Sequence, residues 1–353
     1  MHRICKTSIA RFLLAFFVLP YSGCSKDDRV VSYYDNLPNK VEIQYDSIQF
    51  ENGKTLIIVN PYKNPGSLML KGSMHNHTNN SAHIDGYESG APKDIAIKFR
   101  DVGGFDFYTL TDHNYVTGNP DVDGIVWMGS AMEDTQLTAN GHHLLVYNLP
   151  SNYQYHNIGT DINRQIEYYH SIGAVVSYAH PEWDGQYQPT EKIFNIENVD
   201  FVETLTPSSF SPRAYNILLT KNTVFGFGTD DYHYNVAWPD PNIYFDKSCI
   251  YVYADHKDRD SIWQAIMSGC FYASQGARMK IDCTNGMIHV TTEVPSTIDV
   301  MSVDKLHPEN EMAILSTSNT DELYYQIDGS RQIVWIRINN EQGLAYSQAF
   351  RVI

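Results

Sequence analysis

The stretch LMLKGSMHNHT, residues 68–78, decides the fold. Its first part, Leu68 to Met74, is mostly apolar, as in a strand that is buried on both faces. The strand is followed at once by His75 and, two residues later, His77. In an extended chain residues two apart point to the same side, so these two imidazoles form a pair. The stretch therefore predicts a buried strand with metal-ligand side chains at its C-terminal end.

Four further apolar strands end in the same way. Their ends read Thr111-Asp112-His113-Asn114, Met132-Glu133-Asp134, Tyr178-Ala179-His180 and Thr229-Asp230-Asp231-Tyr232-His233. In a barrel of parallel strands the C-terminal ends meet on one face, where such enzymes keep their sites. One histidine at a strand end is usually only a hydrogen-bonded residue, but five such ends favour a shared metal site.

The region from about 65 to 270 alternates apolar runs with helical stretches. The predicted strands are 68–74, 105–110, 125–132, 143–147, 174–178, 201–205, 224–227 and 249–253, and the predicted helices are 92–102, 161–172, 212–220 and 259–268. Proline at helix starts and glycine just past helix ends support these bounds. The alternation predicts an α/β fold, either a barrel or a doubly wound sheet.

The remaining segments differ in character. After about residue 278 apolar and polar residues alternate without a helix signal, which predicts a small C-terminal antiparallel β-sandwich domain over 278–353. Residues 24–64 are predicted to be a linker and lead-in.

The N-terminus is typical of an exported protein. Basic residues precede the apolar run Phe12–Leu19, and Ser22-Gly23-Cys24 follows it, which predicts a signal peptide over 1–23. A spanning helix needs about 20 apolar residues, more than this run has. The segment resembles a bacterial lipobox, which implies acylation of Cys24 and a lipid anchor in the outer membrane. Periplasmic and cell-surface sides both remain open.

Charge and composition exclude several classes of protein. The chain carries 25 Lys and Arg against 41 Asp and Glu, a net charge of −16, and has no basic block. It is therefore not expected to bind a nucleic acid polymer. Hydrophobic residues make up 42% of the chain, which excludes a disordered protein. Cys249, Cys270 and Cys283 have no metal-type spacing, so we expect them to be structural.

The residue types at the strand ends indicate a particular chemistry. Imidazole and carboxylate together suit Zn, Mn or Fe, and the absence of thiolates argues against a closed structural zinc site. The chain has no Gly-x-Ser-x-Gly elbow and no P-loop. A metal centre is thus the expected source of reactivity.

Four motifs carry a family resemblance. The segments MHNHT (74–78), LTDHN (110–114), AHP (179–181) and GTDDYH (228–233) resemble, in this order, the signatures of the PHP (polymerase and histidinol phosphatase) superfamily. The resemblance spans about residues 68 to 277. It implies a distorted (β/α)7 barrel over 65–277 that holds two to three divalent metal ions and hydrolyses phosphate esters. The segment SGCFYASQG (268–276) resembles the one before the C-terminal β domain of a carbaryl-hydrolase-like branch.

The resemblance also implies a ligand set. One metal would take His75, His77, Glu133 and Asp231, a second Glu133, His142 and His180, and a third His83, His113 and His233. His143 points to the opposite face from His142, so either is a candidate. Asp231 is preferred to Asp230 because only Asp231 precedes a histidine by two residues. The catalytic carboxylates are then Glu133, Asp231 and Asp112, with Asp112 orienting a histidine.

These features predict a phosphoesterase that hydrolyses a small phosphomonoester or phosphodiester. A metal-activated hydroxide is the expected nucleophile, since metal binding lowers the pKa of water to about 7. Arg213 and Lys93, together with Lys71, are candidates for phosphate binding. One alternative is a metal-dependent carbamate, ester or amide hydrolase. Another is a non-catalytic surface lipoprotein that binds a nutrient or glycan, which the 25 Tyr permit.

Overall fold

A computed structural model describes residues 40–86, 88–136, 141–183, 188–207 and 212–353. The predicted signal peptide (1–23) and the predicted lipidation site Cys24 lie outside these residues. Within the described ranges, no helix combines the length and apolar character needed to cross a membrane.

The elements follow the predicted alternation through the first two thirds of the chain. The strands are β1 (Tyr45–Gln49), β2 (Thr55–Val59), β3 (Leu68–Ser73), β4 (Phe107–Tyr108), β5 (Val126–Trp127), β6 (Ala131–Asp134), β7 (Leu144–Tyr147), β8 (Val175–Tyr178), β9 (Phe201–Leu205), β10 (Phe225–Gly228), β11 (Cys249–Ala254), β12 (Phe271–Ser274), β13 (Met279–Thr284), β14 (Met287–Ser302), β15 (Met312–Gln326), β16 (Ile333–Asn340), β17 (Gly343–Ser347) and β18 (Phe350–Val352). The helices are α1 (Ala82–Asp85), α2 (Pro92–Asp101), α3 (Ile162–Ser171), α4 (Thr190–Phe194), α5 (Arg213–Lys221) and α6 (Arg259–Met267), with a 3-10 turn at Asn79–Ser81. The predicted run 125–132 divides into β5 and β6.

Local signals explain where the longer helices begin. Pro92 occupies the first turn of α2, where its missing N–H is not needed. Asp161 accepts hydrogen bonds from the backbone N–H groups of Asn163 and Arg164 at the start of α3. Asp258 caps α6 in the same way through Ser261.

One sheet has the order β10-β9-β8-β7-β6. Strand β9 runs parallel to β10 and β8, but β7 is antiparallel to both of its neighbours. The expectation of parallel strands is therefore wrong at β7, and it is also wrong at β11, which is antiparallel to β3 and β12. The link from β6 to β7, residues 135–143, is shorter than the dozen or more residues that a parallel crossover needs. As a result the start of β7 lies at the edge where β6 and β8 end.

The other sheet has the order β1-β2-β18-β16-β17-β12-β11-β3-β4-β5, and β13, β14 and β15 join it through β14 and β16. All strand pairs among β13 to β18 are antiparallel. Strand β2 pairs with β18, so part of the predicted lead-in belongs to this sheet. Strand β17 pairs with β12, so hydrogen bonding continues across residue 278. The division into a barrel and a β-sandwich domain stays a prediction.

The two sheets are not closed into one barrel by continuous strand pairing. Two isolated bridges join them, between Asn76 and Tyr232 and between His113 and Glu133. Both bridges lie where strands end in predicted metal ligands. The architecture is therefore mixed α/β with two large sheets that meet at the ligand-bearing ends.

Buried polar contacts hold the C-terminal strands against the α/β part. The side-chain amide of Gln348 accepts from the N–H of Gly226 at 2.7 Å and donates to the carbonyl of Gly226 at 2.9 Å. The indole of Trp335 donates to Asn216 in α5 at 3.2 Å. Because these groups are fully buried, each pairing avoids the cost of an unsatisfied polar atom.

Gly228 allows the end of β10 to approach β11 closely. A Cβ atom at this position would overlap the carbonyl oxygen of Cys249. Only glycine fits such a contact, and it sets the position of the segment 229–233 that follows.

Candidate metal centre

Side chains that could hold a metal ion come from six segments and meet where the two sheets join. Three groups of residues each have their ligand atoms within 4.8 Å of one another. The groups are His75, His77, Glu133 and Asp231; Glu133, His143 and His180; and His77, His113 and His233. Glu133 and His77 each belong to two groups, so all eight residues form one continuous set, the histidine cluster.

Glu133 lies at the centre of the cluster and is almost completely buried. Its Oε2 is 2.8 Å from His113 Nε2 and 3.2 Å from His75 Nε2. Its Oε1 is 2.7 Å from His143 Nδ1 and 3.1 Å from His180 Nε2. The two oxygens therefore face two different sets of histidines. Burial alone would raise the pKa of Glu133, but the surrounding imidazoles of His75, His143 and His113 hold it well below its ordinary value.

Asp231 is the second carboxylate of the cluster. Its Oδ1 lies 3.0 Å from His75 Nε2, 3.1 Å from His77 Nε2 and 3.3 Å from His233 Nε2. Its φ of +47° is in the left-handed region, which a non-glycine residue adopts at a cost of about 1 kcal/mol or more. The side chain is 20% exposed, more than any other in the cluster. Asp231 therefore stands where the cluster opens to solvent.

Contacts behind the imidazoles fix which nitrogen faces the cluster. His75 Nδ1 donates to Glu203 Oε1 at 2.8 Å, and His233 Nδ1 donates to Glu88 Oε1 at 2.8 Å. His77 Nδ1 lies 3.0 Å from Ser81 Oγ. In each case the Nε2 lone pair is left pointing inward, which is the tautomer that a metal ligand needs.

Asp112 lies behind His77 and outside the three groups. Its Oδ1 accepts from the Thr78 backbone N–H at 2.6 Å and from Ser81 Oγ at 2.9 Å, and its Oδ2 accepts from the Thr78 hydroxyl at 2.8 Å. Because Ser81 gives its proton to Asp112, it must accept from His77. Asp112 thus orients His77 through Ser81 and does not face the cluster itself.

Glu203 is a functional residue that sequence reasoning missed. Besides His75, it accepts from the backbone N–H of His180 and from the hydroxyl of Thr229, both at 2.6 Å. One buried carboxylate thereby positions three segments of the cluster. The sequence signal is a charged residue inside the apolar strand Phe201–Leu205, where an unpaired carboxylate would be costly.

Glu88 was missed as well. Its side chain is completely buried against His233, and among the described residues its Oε2 has no hydrogen-bond partner. Burial opposes the charged form of His233, but Asp231 and then Glu88 outweigh it and raise the pKa of His233 to about 9. Glu88 lies behind His233, on its Nδ1 side, and is not itself part of the cluster.

Two predicted ligands lie outside the three groups. His83 is exposed on α1, and its Nδ1 is 2.8 Å from the carbonyl oxygen of Asn80, because the short helix turns this face to solvent. His142 Nδ1 lies 2.7 Å from Tyr178 Oη, and burial lowers the pKa of His142 to about 4. Neighbouring residues of an extended chain face opposite sides, so His143 contacts Glu133 in its place.

Asp230 has a role distinct from that of Asp231. Its carboxylate accepts from the backbone N–H groups of Asp246, Lys247 and Ser248 at 2.6 to 2.8 Å. It therefore fixes the loop before β11, and burial raises its pKa to about 7. Of the two neighbouring acids, only Asp231 belongs to the cluster.

The predicted phosphate-binding cations are engaged elsewhere. Arg213 is buried in an ion pair with Glu182, with Nε 3.1 Å from Oε2. Lys71 pairs with Asp246 at 2.6 Å, and Lys93 is an exposed residue of the first turn of α2. None of these three cations lines the cavity that opens beside Asp231. Phosphate binding by these cations stays a prediction.

The donor set fits divalent cations. It consists of buried imidazole nitrogens and carboxylate oxygens without a thiolate, which is the mixture that Zn, Mn and Fe prefer. The inward Nε2 atoms and the shared carboxylate agree with that use. Buried groups of this kind indicate divalent metal binding.

No protein-family model matches the chain, and no curated protein matches it significantly. Among solved structures, the chain is similar to a two-domain protein containing a predicted PHP-like metal-dependent phosphoesterase from Bacteroides vulgatus ATCC 8482. The two share 15% sequence identity with a TM-score of 0.43, over 89% of this chain and 100% of that chain. Likeness at this level assigns no role to any residue of this chain.

Proposed function

We propose that the chain is a divalent-metal-dependent phosphoesterase of the PHP type that hydrolyses a small phosphomonoester or phosphodiester. The observation that carries the proposal is the placement of Glu133. One oxygen faces His75 and His113, and the other faces His143 and His180. A carboxylate placed between two sets of imidazoles could bind a divalent ion on each side, as a two-metal hydrolase requires.

The fold supports the same proposal. Strands β3, β4 and β6 to β10 surround the cluster, and the bridges Asn76–Tyr232 and His113–Glu133 connect the two sheets there. We propose that these seven strands form a distorted barrel of the PHP type. The reversed β7 and the short β4 account for its irregular pairing.

Two to three divalent ions, Zn, Mn or Fe, are proposed as cofactors. The four-residue group around Asp231 and the group of Glu133, His143 and His180 would hold two of them. His77 Nδ1 contacts Ser81 Oγ, so only Nε2 of His77 is available to bind an ion. Two groups need this one nitrogen, the group around Asp231 and the group of His113 and His233. A third ion would therefore be held less tightly than the first two.

Bound divalent ions would neutralise the phosphate charge and bring the pKa of water to about 7. Two such ions contribute +4 against −2 from Glu133 and Asp231, which leaves a net positive centre for a phosphate. This accounts for a site without Lys or Arg among the described residues that line its cavity. The chain's own task is to orient the ligands, through Glu203, Ser81 and Glu88.

The cellular setting is also a proposal. The sequence of residues 1–24 supports export and acylation at Cys24, with the protein anchored in the outer membrane through lipid. The net charge of −16 supports a small phosphate ester as the substrate and not a nucleic acid polymer.

The test is a substrate panel on the purified protein loaded with Mn or Zn. The panel contains 4-nitrophenyl phosphate, bis(4-nitrophenyl) phosphate, an aryl acetate and an aryl N-methylcarbamate, each with and without a chelator. Phosphate turnover that the chelator abolishes supports the proposal. Turnover of the acetate or carbamate alone would favour a carboxylic ester or carbamate hydrolase, and a metal-loaded protein inactive on both phosphates would contradict a phosphoesterase.

A further inference from the structure

The cavity beside the cluster has an aromatic wall. His180, Asp231 and His233 form the side that belongs to the cluster, and Trp183, Trp238 and Tyr244 contribute the other side. Trp183 packs edge-on against His180, with ring centroids 5.6 Å apart. Trp238 and Tyr244 pack edge-on against each other at 6.1 Å. The aromatic wall therefore starts in contact with His180 of the cluster and extends away from it along the cavity.

These rings differ from the aromatic residues of the core. Tyr62, Trp263 and Trp335 are almost completely buried, whereas Trp183, Trp238 and Tyr244 are each partly exposed around an open space. Partly exposed indole and phenol faces beside a reactive site provide flat contact area for a ligand.

The volume of the cavity and the charge of its lining residues limit which ligands it can hold. The cavity has a volume of about 150 Å³, similar to a cavity that holds one benzene molecule. Among its described lining residues, those outside the cluster include no Lys, Arg or His. This wall therefore offers no cationic partner for a second anionic group of the substrate, and a neutral ring needs none.

We propose that the substrate is a phosphate ester of an alcohol or phenol bearing one neutral aromatic ring, and that the ring packs against Trp183, Trp238 and Tyr244. The inference rests on the proposed phosphoesterase function and adds the substrate class. The phosphate end faces Asp231 and His233, and the ring occupies the cavity.

Binding of phosphonates tests the inference without relying on turnover, since their C–P bond is not hydrolysed. The probes are methyl-, cyclohexyl-, phenyl- and 1-naphthylphosphonate, titrated by calorimetry into the protein loaded with Mn. Cyclohexyl and phenyl have similar size, so their difference measures ring stacking. We expect phenylphosphonate to bind about threefold to tenfold more tightly than cyclohexylphosphonate, and more tightly than 1-naphthylphosphonate.

Variants locate the effect. Trp238→Leu and Tyr244→Leu should each remove most of the advantage of phenyl over cyclohexyl while methylphosphonate binding is retained. Tyr324→Leu is the matched control, because Tyr324 lies exposed on β15 outside the cavity. The folding of each variant is checked by thermal unfolding. If one of the two cavity variants fails to fold, the other still tests the proposal.

The failures are distinguishable. If all four phosphonates bind but phenyl has no advantage over cyclohexyl, or both cavity variants keep that advantage, the substrate class is wrong and the phosphoesterase proposal stands. Tighter binding of 1-naphthylphosphonate would overturn the limit to one ring. If no phosphonate binds the metal-loaded protein, both proposals fail.

Discussion

Two of the regions in which histidines contact carboxylates are the buried histidine cluster and a surface group on the C-terminal sheet. In the surface group, His289 Nε2 is 2.9 Å from Glu322 Oε1, and Nδ1 is 3.4 Å from Asp282 Oδ2. The His289 ring also stacks on Tyr324 at 4.4 Å. The contact with Glu322 is as short as those around Glu133, which range from 2.7 to 3.2 Å. The side chain of Glu322 is 49% exposed, however, and that of Glu133 only 1%.

The difference shows that contact distance alone does not identify a site. Both nitrogens of His289 face carboxylates, so its ring is left with no lone pair directed at a shared centre. In the buried cluster, Nδ1 of His75 and His233 is engaged from behind, and Nε2 faces inward. Water screens the surface pairs, which contribute little, whereas the buried groups require partners that compensate for lost hydration.

The largest expected effect comes from the same chemical change made in both regions. Glu133→Gln removes the negative charge that two of the groups share, so we expect the amount of bound metal to fall. We expect kcat/KM to drop by more than about 100-fold, which exceeds the loss that follows mutation of a residue that only holds a ligand in place. Metal content by mass spectrometry and phosphatase kinetics are the measurements.

Glu322→Gln is the control for this change. It alters an exposed carboxylate beside His289, and we expect metal content and kcat/KM to stay within about twofold of the parent protein. Equal losses in the two variants would show that Glu133 has no special place in the site.

A second comparison separates neighbouring histidines. His143→Ala removes an imidazole that contacts Glu133, and we expect a loss of metal affinity of about 100-fold. His142→Ala and His83→Ala change residues that contact Tyr178 and the Asn80 carbonyl, and both should keep the parent affinity. Competition with a chromogenic chelator measures all three. Loss of affinity in His83→Ala, with His143→Ala unaffected, would favour the ligand set that the sequence motifs predict.

The third effect is expected to be smaller, because the residue acts through others. Glu203→Gln removes the charge behind His75, and its single carbonyl oxygen can replace either Oε1, which accepts from His75 and Thr229, or Oε2, which accepts from the His180 N–H, but not both. We expect metal affinity to fall by about 10-fold to 100-fold. A change of less than twofold in chelator competition would mean that the ring of His75 is positioned without Glu203.

The sequence predicted the parts of this fold that depend on local pattern. The strand 201–205 and helix starts at Pro92 and Arg259 agree with the structure, because apolar runs and capping residues act within a few positions. The reversed direction of β7 depends on which strands pair, although the short link 135–143 was a usable clue. Strands β17 and β18 were not predicted, since their pairing partners lie in other segments.

The residues of the candidate site also fall into two kinds, those that a local sequence pattern predicts and those that only the folded chain brings together. The structure brings His75, His77, Glu133 and Asp231 together, and the sequence could group them because each stands at the end of a predicted strand. The choice between His142 and His143 depends on which face of β7 turns inward. Two adjacent histidines in the sequence do not show which of them lies on that face. Glu203 is 128 positions from His75, so only the folded chain shows their contact. Residues that position ligands are therefore harder to predict than the ligands themselves.

The smallest expected effect concerns His170, whose burial is intermediate between that of the histidine cluster and that of the surface group at His289. His170 Nε2 is 2.8 Å from Asp200 Oδ2, and the His170 side chain is 31% exposed. The hydrogen bond to Asp200 raises the pKa of His170 from its ordinary value of 6.5, against the opposing effects of burial and of Lys40. A raised pKa in the folded state means that charged His170 stabilises the fold fully below about pH 6.5, and that this contribution is lost as pH rises through the raised pKa.

His170→Gln should therefore lower the free energy of unfolding by less than about 1 kcal/mol at pH 6, and by less still at pH 9. Urea unfolding in the presence of chelator measures this difference without a contribution from bound metal. His289→Gln provides the more strongly screened comparison and should show a smaller change at both pH values, because its carboxylate partners are about half exposed. A His170→Gln effect that grows with pH would contradict the expected sign, since it would require the neutral form of His170 to be the stabilising one.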